Sequence, residues 1–274
     1  MTLLDKQSAK KLKVTKIVTQ KRPGRYNVYI NDHYAFPVSE EVMIQFGIFK
    51  DSELDQNQIN QIKAADDVSK LYNKAINFIS YQTRSKKEVR DKLKSFSDNL
   101  EAIDKAVEQL EQINLLNDEH YADTYVKGVV EQQNKGPMAV SRYLKQKGIA
   151  DESINIAIEN NYPEEAVLRN GENQAKKVFA HNQRFPFNKR IQKTKTSLYR
   201  KGYSFDDIDT IISEMNFQGD AEQQDELLNK EGNKVWHKYR NYDDAKQRQK
   251  SKQSLYRKGF DLDDIDQFLD TKEN

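Results

Sequence analysis

The sequence predicts a mainly α-helical chain: tandem three-helix repeats, elongated, behind a small β-containing N-terminal domain. Three observations predict it. A pattern of Leu, three residues, Gly or a small residue, five residues, Ile recurs four times in register, as Leu93–Ser97–Ile103, Leu144–Gly148–Ile154, Leu198–Gly202–Ile208 and Leu255–Gly259–Ile265. Only 36% of the 274 residues are hydrophobic and 32% are charged. That composition fills a single large core poorly, whereas small stacked units bury apolar surface against their neighbours. Ten Gly and five Pro are few for this length, which favours helix over an all-β design.

Residues 11–49 carry the β signal. Lys11–Gln20 alternates apolar and polar, with Leu12, Val14 and Ile17 assigned to one face. Tyr26–Ile30 is β-branched and aromatic, and Arg22-Pro-Gly-Arg25 between them is a turn signal. Asn31-Asp32 turns into His33–Val38, giving three short antiparallel strands. Ser39 caps a short helix through Phe46, and Gly47 stops it. Lys50–Asp67 is polar, with Ile59 and Ile62 at helical spacing, and reads as a helix leading out of this domain.

From residue 68 each repeat reads as a long helix, a middle helix ending at the Gly, and a third helix after a short turn. The long helices are assigned to Val68–Ser80, Glu119–Gln132, Gln174–His181 and Glu226–Arg240. The expected domains are residues 1–66, then repeats at 67–114, 115–161, 162–217 and 218–274. Tyr125, Phe179 and Trp236 precede the repeat Leu by the same distance and are expected in the cores.

Charge sorts by helix within the repeats. The candidate partner-binding residues are the bases of the middle helices. They are Lys86, Lys87, Arg90 and Lys94; Arg142, Lys145 and Lys147; Lys189, Arg190, Lys193, Lys195, Arg200 and Lys201; and Lys246, Arg248, Lys250, Lys252, Arg257 and Lys258. The third helices are acidic, as in Asp206-Asp-Ile-Asp209 and Asp263-Asp-Ile-Asp266. The net charge of +2 therefore hides dipolar units. Helix-dipole complementarity accounts for bases at helix ends, but not for bases along whole helices. Repetition of the basic face suggests one surface for a polyanionic partner.

Cysteine is absent, which excludes disulfides, zinc–thiolate sites and thiol catalysis. The four His at 33, 120, 181 and 237 share no metal-ligand spacing. There is no phosphate loop, no dinucleotide fingerprint and no nucleophile elbow. Neither catalysis nor a cofactor is expected. Residues 1–13 hold no long apolar run or cleavage-like site, and no run approaches the roughly 20 apolar residues of a membrane span. A soluble, cytoplasmic, monomeric protein is expected.

Leu116-Asn-Asp-Glu-His-Tyr-Ala-Asp-Thr-Tyr-Val126, with Asn134-Lys-Gly-Pro-Met138 and Leu144-Lys-Gln-Lys-Gly-Ile149, closely resembles the RecX regulatory family. Ser85-x-x-Glu88-Val89-x-x-Lys92-Leu93 in the first repeat fits the same family, as do Arg25–Val28 and Tyr34–Phe36 of a long-form N-terminus. The resemblance implies a non-enzymatic modulator of the RecA recombinase, generally an inhibitor. It would engage the RecA filament, with direct binding of single-stranded DNA, and of duplex DNA as a further case. The competing reading is a sequence-specific transcription regulator with helix-turn-helix units. In that motif the second helix enters the major groove, and here that helix is the acidic one.

Overall fold

A computed structural model describes residues 11–273, and the first ten residues of the expected N-terminal domain lie outside it. Two compact units divide at Tyr121/Ala122. The first opens with an antiparallel sheet of β1 (Leu12–Thr19), β2 (Arg25–Ile30), β3 (His33–Ser39) and β4 (Glu53–Leu54), in the order β3-β2-β1-β4. The fourth strand is absent from the sequence reading, because two residues are too short to show alternation. Leu12 and Val14 share a parity that Ile17 breaks, yet all three contact one core. A register shift between Val14 and Lys16 turns the strand over and reconciles them. Asn31 and Asp32 both lie at positive φ, 49° and 64°, the geometry of a two-residue hairpin turn.

Helix α1 (Glu40–Gln45) is capped by Ser39, and Gly47 follows at φ 59°. Helix α2 (Gln56–Ile79) begins in an Asp55/Gln58 capping box and runs unbroken for 24 residues through the 66/67 junction. Ile59 and Ile62 pack on the sheet, while Leu71 and Ala75 enter the next core. Asp66, only 2% exposed, ties the two halves together. It accepts two hydrogen bonds from the Arg25 guanidinium (3.0 and 2.8 Å) and one from the Ser39 amide (2.8 Å). A buried carboxylate needs such compensation. Helices α3 (Lys86–Lys94) and α4 (Leu100–Gln112) complete the first repeat, with Leu93 and Ile103 fully buried in one core. Its small residue, Ser97, does not take the left-handed conformation of the later glycines; instead its amide bonds back to Leu93.

Helix α5 (Asp118–Gln132) crosses into the second unit. There α6 (Pro137–Gln146) and α7 (Asp151–Asn161) complete one repeat, and α8 (Glu164–His181), α9 (Phe187–Lys201) and α10 (Phe205–Glu214) form the next. The last contains α11 (Ala221–Lys238), α12 (Asp244–Lys258) and α13 (Leu262–Glu273). Leu144, Ile154, Leu198, Ile208, Leu255 and Ile265 are all buried. Gly148, Gly202 and Gly259 close the middle helices at φ 83°, 91° and 99°. Helix α8 starts ten residues before the Gln174 that the sequence reading assigned. Its inner face carries Asn170, Gly171 and Gln174, which hide the apolar period. Those amides serve as caps for α5: Asn170 donates to the Val130 carbonyl (3.1 Å) and Gln174 to that of Gln133 (2.5 Å).

Within the second unit, consecutive repeats meet helix end to helix end. The Gly136 and Met138 amides at the start of α6 donate to the Lys201 and Gly202 carbonyls at the end of α9 (2.8 and 2.9 Å). A Cβ on Gly202 would lie 2.3 Å from the Ala139 nitrogen, and one on Gly136 would lie 2.5 Å from the Gly202 oxygen. Gly259 packs likewise on the start of α9, where a Cβ would lie 2.8 Å from that of Lys189. The caps of α6 and α9, Gly136 and Pro186, make no side-chain cap bond, whereas Asp243 of α12 accepts from the Lys246 amide.

Gly202→Ala is expected to cost about 2–4 kcal/mol, from left-handed strain plus overpacking. Gly128→Ala, in mid-helix with open space around it, is expected to stabilise by up to about 1 kcal/mol. Urea denaturation of both variants checks the contrast.

Candidate nucleic-acid interface

The middle-helix bases do not form one continuous free stripe. In three repeats a base three residues before the repeat Leu pairs with an acid 14 residues further on, in the third helix. The pairs are Arg90–Asp104 (2.8 Å), Lys195–Asp209 (2.7 Å) and Lys252–Asp266 (2.5 Å). The second repeat has Ser141 and Asn155 at these positions, so base and acid are lost together. In the third and fourth repeats Lys195 and Lys252 thus find their acid outside their own helix. The acid comes from the neighbouring helix, which the sequence treated separately.

Other candidates are engaged too. Lys86 pairs with Glu111, Lys94 with Asp91 (3.5 Å) and Lys145 with Asp151 (2.9 Å). Arg248 pairs with Asp270 (2.7 Å), and Lys258 with Glu231 (2.7 Å). Arg190 is buried: its side chain lies 3.7 Å over the Phe179 ring and donates to the Phe179 carbonyl. Lys201 donates to the Asn134 carbonyl at 3.5 Å. Lys147 sits over Tyr143, Lys246 and Lys250 sit over Tyr242, and the Arg257 side chain donates back to Gln253. Lys87 and Arg142 are exposed on α3 and α6.

Phe179 is buried and Trp236 packs against the last core, as expected. Tyr125 differs. It is half-buried and stacks on Tyr143 at 4.2 Å, with Lys135 donating to its hydroxyl (2.7 Å). A polar edge and a cation hold it at the surface of its repeat.

What remains is a groove of 710 Å³ between α8 and α9. Lys177 and His181 line it from α8, and Lys189, Lys193 and Arg200 from α9; Gln192, Thr196 and Ser197 add neutral donors, and no carboxylate faces it. Lys193 is held over the Phe185 ring at 4.2 Å. The α9 members recur at three- and four-residue steps, which places them on one face. Sequence reasoning found Lys189, Lys193 and Arg200 but missed Lys177 and His181, because it counted bases on middle helices only. Among the described residues no cluster of His, Asp and Glu could hold a metal ion. No described helix is long and apolar enough to cross a membrane.

Family models cover nearly all of this architecture. The regulatory protein RecX N-terminal domain matches residues 12–55, and the RecX first and second three-helix domains match 72–110 and 117–158. The RecX third three-helix domain matches twice, at 165–212 and 222–269. The chain belongs to the RecX family. A regulatory protein RecX of Levilactobacillus brevis is 39% identical over 256 residues, spanning 93% of this chain and 96% of its own. One of Limosilactobacillus reuteri is 38% identical over 262 residues (95% and 98%), and one of Bacillus subtilis 34% over 261 (95% and 98%). A crystal structure of regulatory protein RecX superimposes with a TM-score of 0.66 at 35% identity, covering 74% of this chain and 99% of its own. One of RecX from Lactobacillus salivarius gives 0.52 at 37%, covering 56% and 98%. The double match of the third RecX domain accounts for the near-identical strings Ser197–Gly202 and Ser254–Gly259.

Glu231, held by Lys234 and Lys258 well below the usual carboxylate range at about 2, fastens α11 to the end of α12. Its folded pKa is depressed, so its stabilising contribution is full above the ordinary carboxylate pKa and is lost as pH falls through about 2. Between pH 5 and pH 2, Glu231→Gln should lose less stability than the parent. Thermal melts across that range check it.

Proposed function

We propose that this RecX-family regulator acts without catalysis, restraining the RecA recombinase by binding the RecA–DNA filament, and that it contacts nucleic acid through the groove between α8 and α9. The observation that carries the nucleic-acid part is the convergence of Lys177, His181, Lys189, Lys193 and Arg200 with no acid facing them. At least half of the other candidate bases of the middle helices, eight of sixteen, are already matched by protein acids. An unmatched cluster costs stability through self-repulsion and gains from a phosphate backbone. Family membership supports the RecA partner, and a cytoplasmic site of action accords with it.

A transcription regulator with helix-turn-helix units is not favoured. Its reading helices would be α4, α7, α10 and α13. Asp104, Asp209 and Asp266 of these helices already bind the bases of the helix before, and further exposed acids on them would repel phosphate.

The test is the triple reversal Lys189→Glu, Lys193→Glu and Arg200→Glu. Binding of single-stranded DNA should weaken at least about ten-fold, and the slope of log affinity against log salt should shrink by about 0.7 per lost contact. Restraint of RecA ATPase and strand exchange should weaken in parallel. The swap Lys195→Asp with Asp209→Lys keeps an ion pair outside the groove and should change neither. Unaltered salt slopes in the triple variant would remove the groove from the interface.

A further inference from the structure

Tyr199 of α9 and Phe205, the first residue of α10, stack with ring centroids 4.9 Å apart and planes 19° from parallel. Both face solvent, Tyr199 46% exposed and Phe205 70%. A phenyl ring left that open gains little from burial. The fold does not require it either. One residue after the repeat Leu and three after the repeat Gly, the second repeat holds Lys145 and Asp151, joined by an ion pair at 2.9 Å. The same turn is therefore closed by charge in one repeat and by exposed rings in another. The fourth repeat again leaves apolar groups in water there, Tyr256 at 58% and Leu262 at 44%.

The charges on either side of the ring pair differ. Arg200 follows Tyr199 directly and lines the acid-free groove. Asp206 and Asp207 follow Phe205 in the first turn of α10. A phosphate chain leaving the groove at Arg200 is attracted up to the rings and repelled beyond them. The rings thus suit the flat, uncharged part of the same ligand.

We propose that Tyr199 and Phe205 form a base-stacking platform. An unpaired nucleobase of a single-stranded nucleic acid lies on the exposed ring face, while its flanking phosphates run past Arg200 into the groove. The proposal rests on the nucleic-acid reading of that groove. It adds selectivity, because a duplex keeps its bases paired and stacked on one another and offers the platform nothing. Stacking on an aromatic side chain tolerates any base, so the platform favours single strands without reading sequence.

The test uses the full chain with Tyr199→Lys and Phe205→Asp together. This variant installs the ion pair of the second repeat and leaves net charge unchanged. Tyr199→Ala is a second, smaller change. Fluorescence anisotropy is read with a labelled mixed-sequence single strand, a duplex of the same length, and a strand carrying abasic positions throughout. The expected result is a roughly five- to fifty-fold loss on the intact single strand, with duplex and abasic affinities within about two-fold of the parent. Equal losses on all three ligands, or none on the intact strand, would overturn it. If the triple groove variant weakens binding while the ring variants do not, the platform fails and the groove reading stands. If the groove variant binds as the parent does, the groove reading falls first and the platform with it. Ring variants that bind every ligand normally but no longer restrain RecA would show the rings docking protein instead, and that too overturns the proposal.

Discussion

From Gly136 onward, the placing of one repeat on the next depends on helix ends that satisfy each other. The amides of Gly136 and Met138 have no partner inside α6, and the carbonyls of Lys201 and Gly202 have none inside α9. Brought together, they cap both helices without any side chain, and the negative end of one helix dipole meets the positive end of another. Only glycine permits this approach, since a Cβ on either Gly136 or Gly202 would enter the opposing backbone. The left-handed turn at Gly202 then does two things at once: it ends α9 and presents the carbonyls that fix α6. Side-chain amides of α8 reinforce the same joint by capping α5.

Electrostatics follows from that arrangement. Once middle and third helices are packed around Leu and Ile, a base and an acid 14 residues apart lie side by side, and three repeats use the position for an ion pair. Such surface pairs contribute at most about 1 kcal/mol each, so their larger effect is to neutralise the basic faces. The groove between α8 and α9 stands out because its bases escape this pairing. Lys177 and His181 come from the long helix of the repeat, where the pairing rule does not reach.

The sequence made the repeat, its turns and its buried Leu and Ile legible, because apolar spacing and Gly placement are local signals. It made the hairpin at Asn31-Asp32 legible for the same reason. It did not reveal β4, which exists only by pairing Leu54 with Leu12, nor the first ten residues of α8, whose inner face is polar because it caps another helix. The bulge at Val14/Lys16 was visible only as a parity conflict. Arg190 counted as a surface base because charge was read from composition, whereas its stem and guanidinium fill the space over Phe179. The ion pairs link helices whose packing the charge pattern does not state, so a paired stripe and a free one look alike in sequence.

The start of α12 has a consequence of its own. Gly136 and Pro186 open their helices with no cap bond of their own and receive a neighbour's helix end. Asp243 instead closes on the Lys246 amide, and Asp244 adds a second carboxylate in the first turn. A further carbonyl-bearing helix end arriving there would meet like charge rather than waiting amides. The first turn of α12 is thus set chemically against the kind of joint that α6 makes with α9.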